Sequence, residues 1–271
     1  MENPSTPIRH IVSLSGGKDS TALAIFLRDR IDNLEYIFCD TEKELPETYD
    51  YLKKLEVYLG RPIVYLKSNG RGFDELLKER RGFLPSPQAR WCTEQLKIKP
   101  FEEYVGSNTC YSYIGIRADE LYRKGYISTK PNIIAQYPFI VAGITKPDVV
   151  RILHESGLGL PKYYDWRSRS GCYFCFFQRR IEWVGLLEEH PDLFQLAAEY
   201  EKEDPETGER HTWVQKESLT ELRSAERVAQ IKKENEQREN SQKHKFPAHL
   251  SLSQVFNNED ESNDGCLICH L

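Results

Sequence analysis

In the first half of the chain, apolar positions form short runs separated by stretches with helical spacing. Residues 9–14 (RHIVSL) are a brief run rich in apolar β-formers; Gly16 and Gly17 break it, and residues 21–30 (TALAIFLRDR) then place their apolar side chains on one helical face. The spacing predicts strand, loop and helix. The alternation recurs as a strand over 34–39, a helix from about 46 to 59, a strand over 63–66, a helix near 73–80 and an apolar run at 111–116. Strands alternating with helices imply an α/β fold, a parallel sheet with helices on both faces, and such a sheet receives ligands at the carboxyl ends of its strands. The loop 15–20, Asp40 and Arg117 all fall at such ends.

From about residue 138 the strand signal fades and helical spacing takes over, at 146–155, 181–189 and 191–203. A turn at 204–208 (DPETG) leads into a charged stretch, 218–245, in which Leu219, Leu222, Val228 and Ile231 mark an amphipathic helix. The expected division is a nucleotide-binding core over 1–137, a helical region with a C-x-x-C pair over 138–215 packed on that core, and a charged helix with a mobile cysteine-containing tail over 216–271.

Composition narrows the class. With 39% hydrophobic, 29% charged and 11% aromatic residues, the 271-residue chain suits a soluble folded protein. No apolar run approaches the ~18 residues of a membrane span, and no signal-peptide stretch opens the sequence, so a cytoplasmic location is expected. Thiols stay reduced there, and the seven cysteines are read as ligands, nucleophiles or core residues rather than disulfides. The net charge of −5 offers no global attraction to nucleic acid, although a local basic surface can coexist with it.

The string Ser15-Gly16-Gly17-Lys18-Asp19-Ser20 carries the strongest chemistry. Two glycines let the backbone approach a ligand with its N–H groups inward, the following helix presents its positive end to an anion, and Ser15, Ser20, Thr21 and Lys18 add donors and charge. This predicts a phosphate cradle. Cys172-x-x-Cys175 has the spacing of a metal-ligand pair, half of a four-ligand site. Cys39, within an apolar strand, reads as a small buried hydrophobe. Arg167, Arg169, Arg179 and Arg180 flank the pair, as polyanion contacts or as an ordinary solvated face, and His190 before Pro191 reads as a helix boundary.

The loop SGGKDS after a first strand resembles the pyrophosphate loop of the N-type ATP pyrophosphatases, and more closely that of the phosphoadenosine phosphosulfate reductase family. The resemblance extends in order over about residues 8–200 through Asp40-Thr41-Glu42 with Glu44, Pro46, Glu47 and Thr48, Arg90-Trp91-Cys92-Thr93 with Leu96, Lys97 and Pro100, Gly115 to Glu120, and Gly171 to Cys175. It implies that Ser15, Gly16, Gly17, Lys18, Asp19 and Ser20 bind ATP phosphates and Mg²⁺, that Asp40 and Lys97 lie at the nucleotide, and that Arg117 reaches a phosphate or sulfate; Lys18, Asp19 and Arg117 are then the catalytic candidates of the loop. Cys92 with Cys172 and Cys175 resembles the [4Fe-4S] ligand set of assimilatory sulfate reductases, with Trp91 standing where those enzymes carry a further cysteine. The fourth position falls to Cys266 or Cys269 folding back, to Cys110, or to an iron left open as in tRNA thiolation enzymes; zinc is the alternative metal. Cys269-His270 is similar to the nucleophilic tail of sulfonucleotide reductases, although the usual Glu-Cys-Gly-Leu-His string is absent, and a sulfur carrier, a metal ligand or an inert pair fits as well.

In length and motif order the chain is similar to the ATP pyrophosphatase components of DNA phosphorothioation systems. This implies cleavage of ATP to AMP and pyrophosphate, adenylation of an acceptor for sulfur transfer with a DNA backbone phosphate favoured, and a cysteine desulfurase and other subunits of a modification complex as partners. The alternatives are a sulfonucleotide reductase, with Cys269 attacking sulfur, and a non-catalytic nucleotide-binding subunit of a defence complex.

Overall fold

Strand β1 (Arg9–Leu14) is buried on both faces at the centre of a five-stranded parallel sheet. Its neighbours are β2 (Leu34–Cys39) and β4 (Cys110–Tyr113), with Val12 opposite Tyr36 on one side and Tyr113 on the other; β3 (Ile63–Leu66) and β5 (Ile133–Gln136) form the edges. The order β3-β2-β1-β4-β5 reverses direction between β1 and β4. In such a sheet the connections after those two strands diverge to opposite faces and leave a crevice between them. The loop 15–20 follows β1, and Arg117 follows β4. A computed structural model describes residues 7–69, 71–120, 123, 128–203 and 208–244.

Alternation along β1 assigns the layers. Val12 and Leu14 pack with Ala22, Leu23, Ala24 and Leu27 of α1 (Lys18–Arg28) and with Leu52, Leu55 and Leu59 of α2 (Pro46–Leu59), whereas Ile11 faces Phe101 and Val105 of α5 (Lys99–Val105). Complete burial contributes about 1.5–3 kcal/mol for each large apolar side chain. The helix α2 starts at Pro46, whose fixed φ suits a first helical turn, and stops at Gly60 with φ +64°.

A second core is aromatic. Phe73 of α3 (Phe73–Glu79), Trp91 of the short α4 (Trp91–Thr93), Tyr163, Tyr173, Phe174, Trp183 of α8 (Arg180–Glu189), Phe194 of α9 (Pro191–Glu199) and Trp213 gather there. A π-helical turn, Glu94–Ile98, joins α4 to α5 and carries Lys97. Such turns widen a helix locally and recur at functional sites.

Several sequence expectations shift. The edge strand β5 was not expected, because four residues with only Ile133 buried are too few to display a period. The segment α6 (Pro138–Val141) and the helix α7 (Lys146–Glu155), expected in the helical region, pack through Phe139, Val149 and Leu153 on the α1 side of the sheet. The expected helix over 191–203 ends at Glu199, and β6 (Lys202–Glu203) pairs antiparallel with β7 (Arg210–His211); most of the expected turn at 204–208 falls on residues 204–207, which lie outside the described residues. The charged stretch divides into α10 (Leu219–Leu222) and α11 (Ala225–His244), since two serines each start a helix: Ser218 Oγ accepts from Glu221 N–H at 3.2 Å and Ser224 Oγ from Arg227 N–H at 3.3 Å. Among the described residues no helix is long and apolar enough to cross a membrane.

Candidate nucleotide and thiol site

Gly16 adopts φ +71°, and a Cβ there would lie 2.5 Å from Thr48 Cγ2, so both conformation and space require glycine. Gly17 caps α1, accepting the Thr21 N–H at 3.1 Å. The Ser20 hydroxyl accepts the Ser15 N–H at 3.1 Å and closes the loop on itself. Gly115 lets the backbone after β4 approach α1, with its Cβ position 3.2 Å from Asp19 O. The result is a preformed turn at the helix N-terminus, the geometry expected of an anion cradle.

A segment far along the chain sits on this loop. Tyr163 OH donates to Gly16 O at 2.8 Å, Tyr164 OH accepts from Lys18 N–H at 3.1 Å, and Ser170 Oγ donates to Ser15 Oγ at 3.1 Å. Gly17 is closed in from the same side: a Cβ there would fall 2.6 Å from Ser170 Oγ. Sequence reasoning missed Tyr163, Tyr164 and Ser170. Their one signal is position just before the C-x-x-C pair, and hydroxyls without periodicity do not announce a contact.

Arg117, 2% exposed, pairs with Asp19 at 2.9 Å, Asp119 at 3.0 Å and Glu120 at 3.3 Å. Burial works to lower its pKa, but the surrounding Asp19, Glu120 and Asp119 more than offset this and raise it, so the guanidinium stays charged. Arg117 was expected at a phosphate or sulfate; here its guanidinium is turned onto carboxylates and holds Asp19 in place. Lys18 Nζ lies 3.5 Å from the other Asp19 oxygen and 5.3 Å from the Tyr164 ring centroid.

Asp40 follows β2 at the same carboxyl end of the sheet. Its Oδ1 accepts from Tyr49 OH at 2.7 Å and from Glu42 N–H at 2.9 Å, and Glu42 takes φ +60°, a conformation rare for a residue with a side chain. A polar cavity of about 340 Å³ opens here, lined by Asp40, Thr41, Glu42, Lys67, Ser68 and Arg71 among others. Thr41 leads onward: its Oγ1 donates to Glu44 Oε1 at 2.9 Å and lies 3.2 Å from Cys172 Sγ.

Cys92, Cys172 and Cys175 line one small, largely apolar cavity of about 40 Å³ together with Thr41 and Lys97. Arg167, 2% exposed, donates to Gly171 O at 3.0 Å and Cys172 O at 2.9 Å, which makes it a strut of the C-x-x-C turn rather than a polyanion contact. Burial pushes the Cys172 thiol well up, Glu44 adds to the rise, and Lys97 works against it. Glu44 Oε2 is buried with no hydrogen-bond partner among the described residues. Two other cysteines are core residues. Cys110 begins β4, at the amino end of the sheet and away from this cavity, packed with Ile11, Phe101 and Val105, which removes it as a fourth ligand; Cys39 is buried in the same cluster, its thiol pushed up to about 12 by burial. His190 joins α8 to α9 as a boundary, and its Nε2 lies 2.7 Å from Glu47 Oε1. The expected tail residues Cys266 and Cys269 lie outside the described residues.

A family model described as the phosphoadenosine phosphosulfate reductase domain matches residues 9–175. The chain belongs to the phosphoadenosine phosphosulfate (PAPS) reductase family. It is 31% identical over 193 residues to an uncharacterized protein of Methanocaldococcus jannaschii, an alignment covering 67% of this chain and 45% of that protein, so it spans about half of its relative's length. Among solved structures it is similar to a PAPS reductase from Candida auris in a phosphate complex, with 17% identity, TM-score 0.49 and coverage of 62% of this chain and 82% of that one. The U34-tRNA thiolase NcsA from Methanococcus maripaludis, solved with its [4Fe-4S] cluster, aligns at 16% identity and TM-score 0.42, covering 71% of each chain. The PAPS reductase-type match ends at Cys175, so it takes in both the phosphate loop and the C-x-x-C turn.

The donor set of the thiol cavity fits a soft metal centre. Cys92, Cys172 and Cys175 are thiols lining one cavity, and thiolate is the ligand type of both Fe–S clusters and structural zinc. Among the described residues no group of three or more His, Cys, Asp or Glu side chains is arranged to hold an ion as it stands.

Proposed function

We propose that this chain is an ATP pyrophosphatase that adenylates an acceptor for sulfur transfer. One observation carries the reading: Ser170, two residues before Cys172, hydrogen-bonds to Ser15 at 3.1 Å, so the anion cradle and the thiol cavity adjoin. An enzyme that activates an oxygen with a nucleotide and replaces it with sulfur needs those two sites side by side.

MgATP enters with its outer phosphates at the loop, where the N-terminal amides of α1, the Ser15 and Ser20 hydroxyls and Lys18 take up the charge that grows on pyrophosphate as it leaves. Asp19, held by Arg117 at 2.9 Å, would bind the magnesium that accompanies the nucleotide. The acceptor oxygen attacks the α-phosphorus, the bond to the β-phosphate oxygen breaks, and the acceptor leaves this step as its adenylate. A sulfur nucleophile then displaces AMP. Cys92, Cys172 and Cys175 would hold the metal centre, a [4Fe-4S] cluster in preference to zinc, and such a centre would supply a site for bound sulfur. Lys97, on the π-helical turn, carries the positive charge of that cavity. The acceptor of this reading is a DNA backbone phosphate, with a cysteine desulfurase as sulfur source within a larger modification complex.

The test is pyrophosphate release from ATP by anaerobically purified protein, with duplex DNA, tRNA or no acceptor added, alongside iron and zinc analysis. Release stimulated by DNA and abolished in Asp19→Ala is expected. Sulfite release from a sulfonucleotide without ATP turnover would establish the reductase instead, stimulation by tRNA alone would change the acceptor, and nucleotide binding with no turnover would leave a non-catalytic subunit.

A further inference from the structure

The groups that sit on the loop are protein hydroxyls. Lys18 N–H, one of the amides that a helix N-terminus offers to an anion, is already given to Tyr164 OH, and the Ser15 hydroxyl already accepts from Ser170. Both partners crowd Gly17, within 3.2 Å of the point where its Cβ would be. A phosphate oxygen seeking the Lys18 amide therefore meets an occupied donor, and one approaching Ser15 over Gly17 meets the Ser170 hydroxyl in its way. The other end of the same segment is tied to the thiol cavity: Ser170 is followed by Gly171 with φ +137°, open to few residues besides glycine, and Arg167 holds the carbonyls of Gly171 and Cys172.

We propose that Tyr164 and Ser170 are positioning residues that couple the two sites: a phosphate at the loop displaces their hydroxyls and thereby releases the Gly171–Cys175 turn from the loop. This rests on the loop's binding phosphate and not on which reaction follows. No bond is made or broken. The displaced hydroxyls exchange one set of hydrogen bonds for another, so the coupling is reciprocal: whatever holds the thiol turn away from the loop must also favour phosphate there. Tyr163, whose hydroxyl donates to a carbonyl that no phosphate competes for, keeps its bond to Gly16 and serves as the pivot.

The sign of one measurement separates this from simpler roles. If the hydroxyls compete with phosphate, Tyr164→Phe and Ser170→Ala bind inorganic pyrophosphate and ATP more tightly than the parent chain, each by about threefold, the scale of one modest hydrogen bond. Phenylalanine retains the ring that stacks on Tyr163 at 4.9 Å and faces Lys18, so the fold is preserved and a melting curve checks it. Weaker binding in both variants would mean that the hydroxyls are themselves phosphate ligands and would overturn the proposal. A second readout needs no variant. Amide hydrogen exchange over residues 162–175 of the full chain, measured with and without pyrophosphate, is expected to speed up several-fold with the ligand bound. Unchanged or slower exchange at saturating pyrophosphate overturns the coupling while leaving the pyrophosphatase reading intact, and absence of pyrophosphate binding sinks the coupling by itself. Normal coupling in a chain that releases no pyrophosphate from ATP would sink only the reaction.

Discussion

The phosphate loop and the thiol cavity lie next to each other but are built differently. The loop is one contiguous stretch between β1 and α1, shaped by two glycines and by hydrogen bonds within six residues, and it rests on the aliphatic core of the sheet. The cavity draws Cys92 from the helical run 91–105 and Cys172 and Cys175 from a turn much later in the chain, and its walls are aromatic, with Phe73, Phe174 and Trp213 among them. A loop made of neighbours is set by local backbone geometry. A cavity assembled from distant segments is set by packing and depends on struts such as Arg167. The chain can therefore keep the first while altering the second.

The largest effect should come from the charge cluster under the loop. Arg117→Leu leaves Asp19, Asp119 and Glu120 without their shared buried counter-ion, and breaking such a pair costs about 3–5 kcal/mol. Denaturant unfolding should read this loss, and hydrogen exchange should locate it in α1 and the β4 end of the sheet. Next comes Arg167→Met, which leaves the buried Gly171 carbonyl without its donor, at about 1–3 kcal/mol, while the part-buried Cys172 carbonyl turns to water. This variant should lose protection over residues 166–180, and with it the metal of the proposed centre, while β1 and α1 keep their protection. Equal loss of protection in both halves for either variant would show that the two sites are one cooperative unit.

The same contrast governs how much was legible in the sequence. The loop could be read from its six residues because a strand, two glycines and a helix start leave little freedom, and Asp40 followed from its place at the end of an apolar run. Of the thiols, the C-x-x-C pair announced itself by spacing. Cys92 emerged through resemblance, and the structure brings it to the same cavity. The roles of Arg117 and Arg167 were not legible: an arginine looks alike in sequence whether it meets a phosphate, three carboxylates or two carbonyls, and only burial and neighbours distinguish these. Tyr164 and Ser170 were invisible for the same reason, since their partners are 146 and 155 residues away.

The smallest effect tests whether the cavity half responds to acid through its own caps. Each half carries a capping box whose carboxylate is held below its usual range, Asp148 by the Thr145 hydroxyl and N–H in α7, and Glu221 by Arg210 and by Ser218 in α10. The Glu221 carboxyl is pulled down from 4.5 to about 2, with the Arg210 hydrogen bond the largest cause. A folded-state pKa below the unfolded one means that the fold favours the ionised form. The contribution is therefore complete above pH 4.5 and is lost as the pH falls through the range down to about 2. Because the group is exposed and screened, its worth is no more than about 1 kcal/mol. The Leu219 and Leu222 side chains that this cap holds belong to the aromatic core with Trp213. Tryptophan fluorescence followed on denaturant unfolding at pH 6 and at pH 3 should accordingly show a smaller acid loss in Glu221→Gln than in the parent, and the difference between the two chains should shrink in high salt. An identical acid response in both chains would assign acid sensitivity to other carboxylates held below their usual range, such as Asp148 in the cap of α7 and Glu182 in the cap of α8.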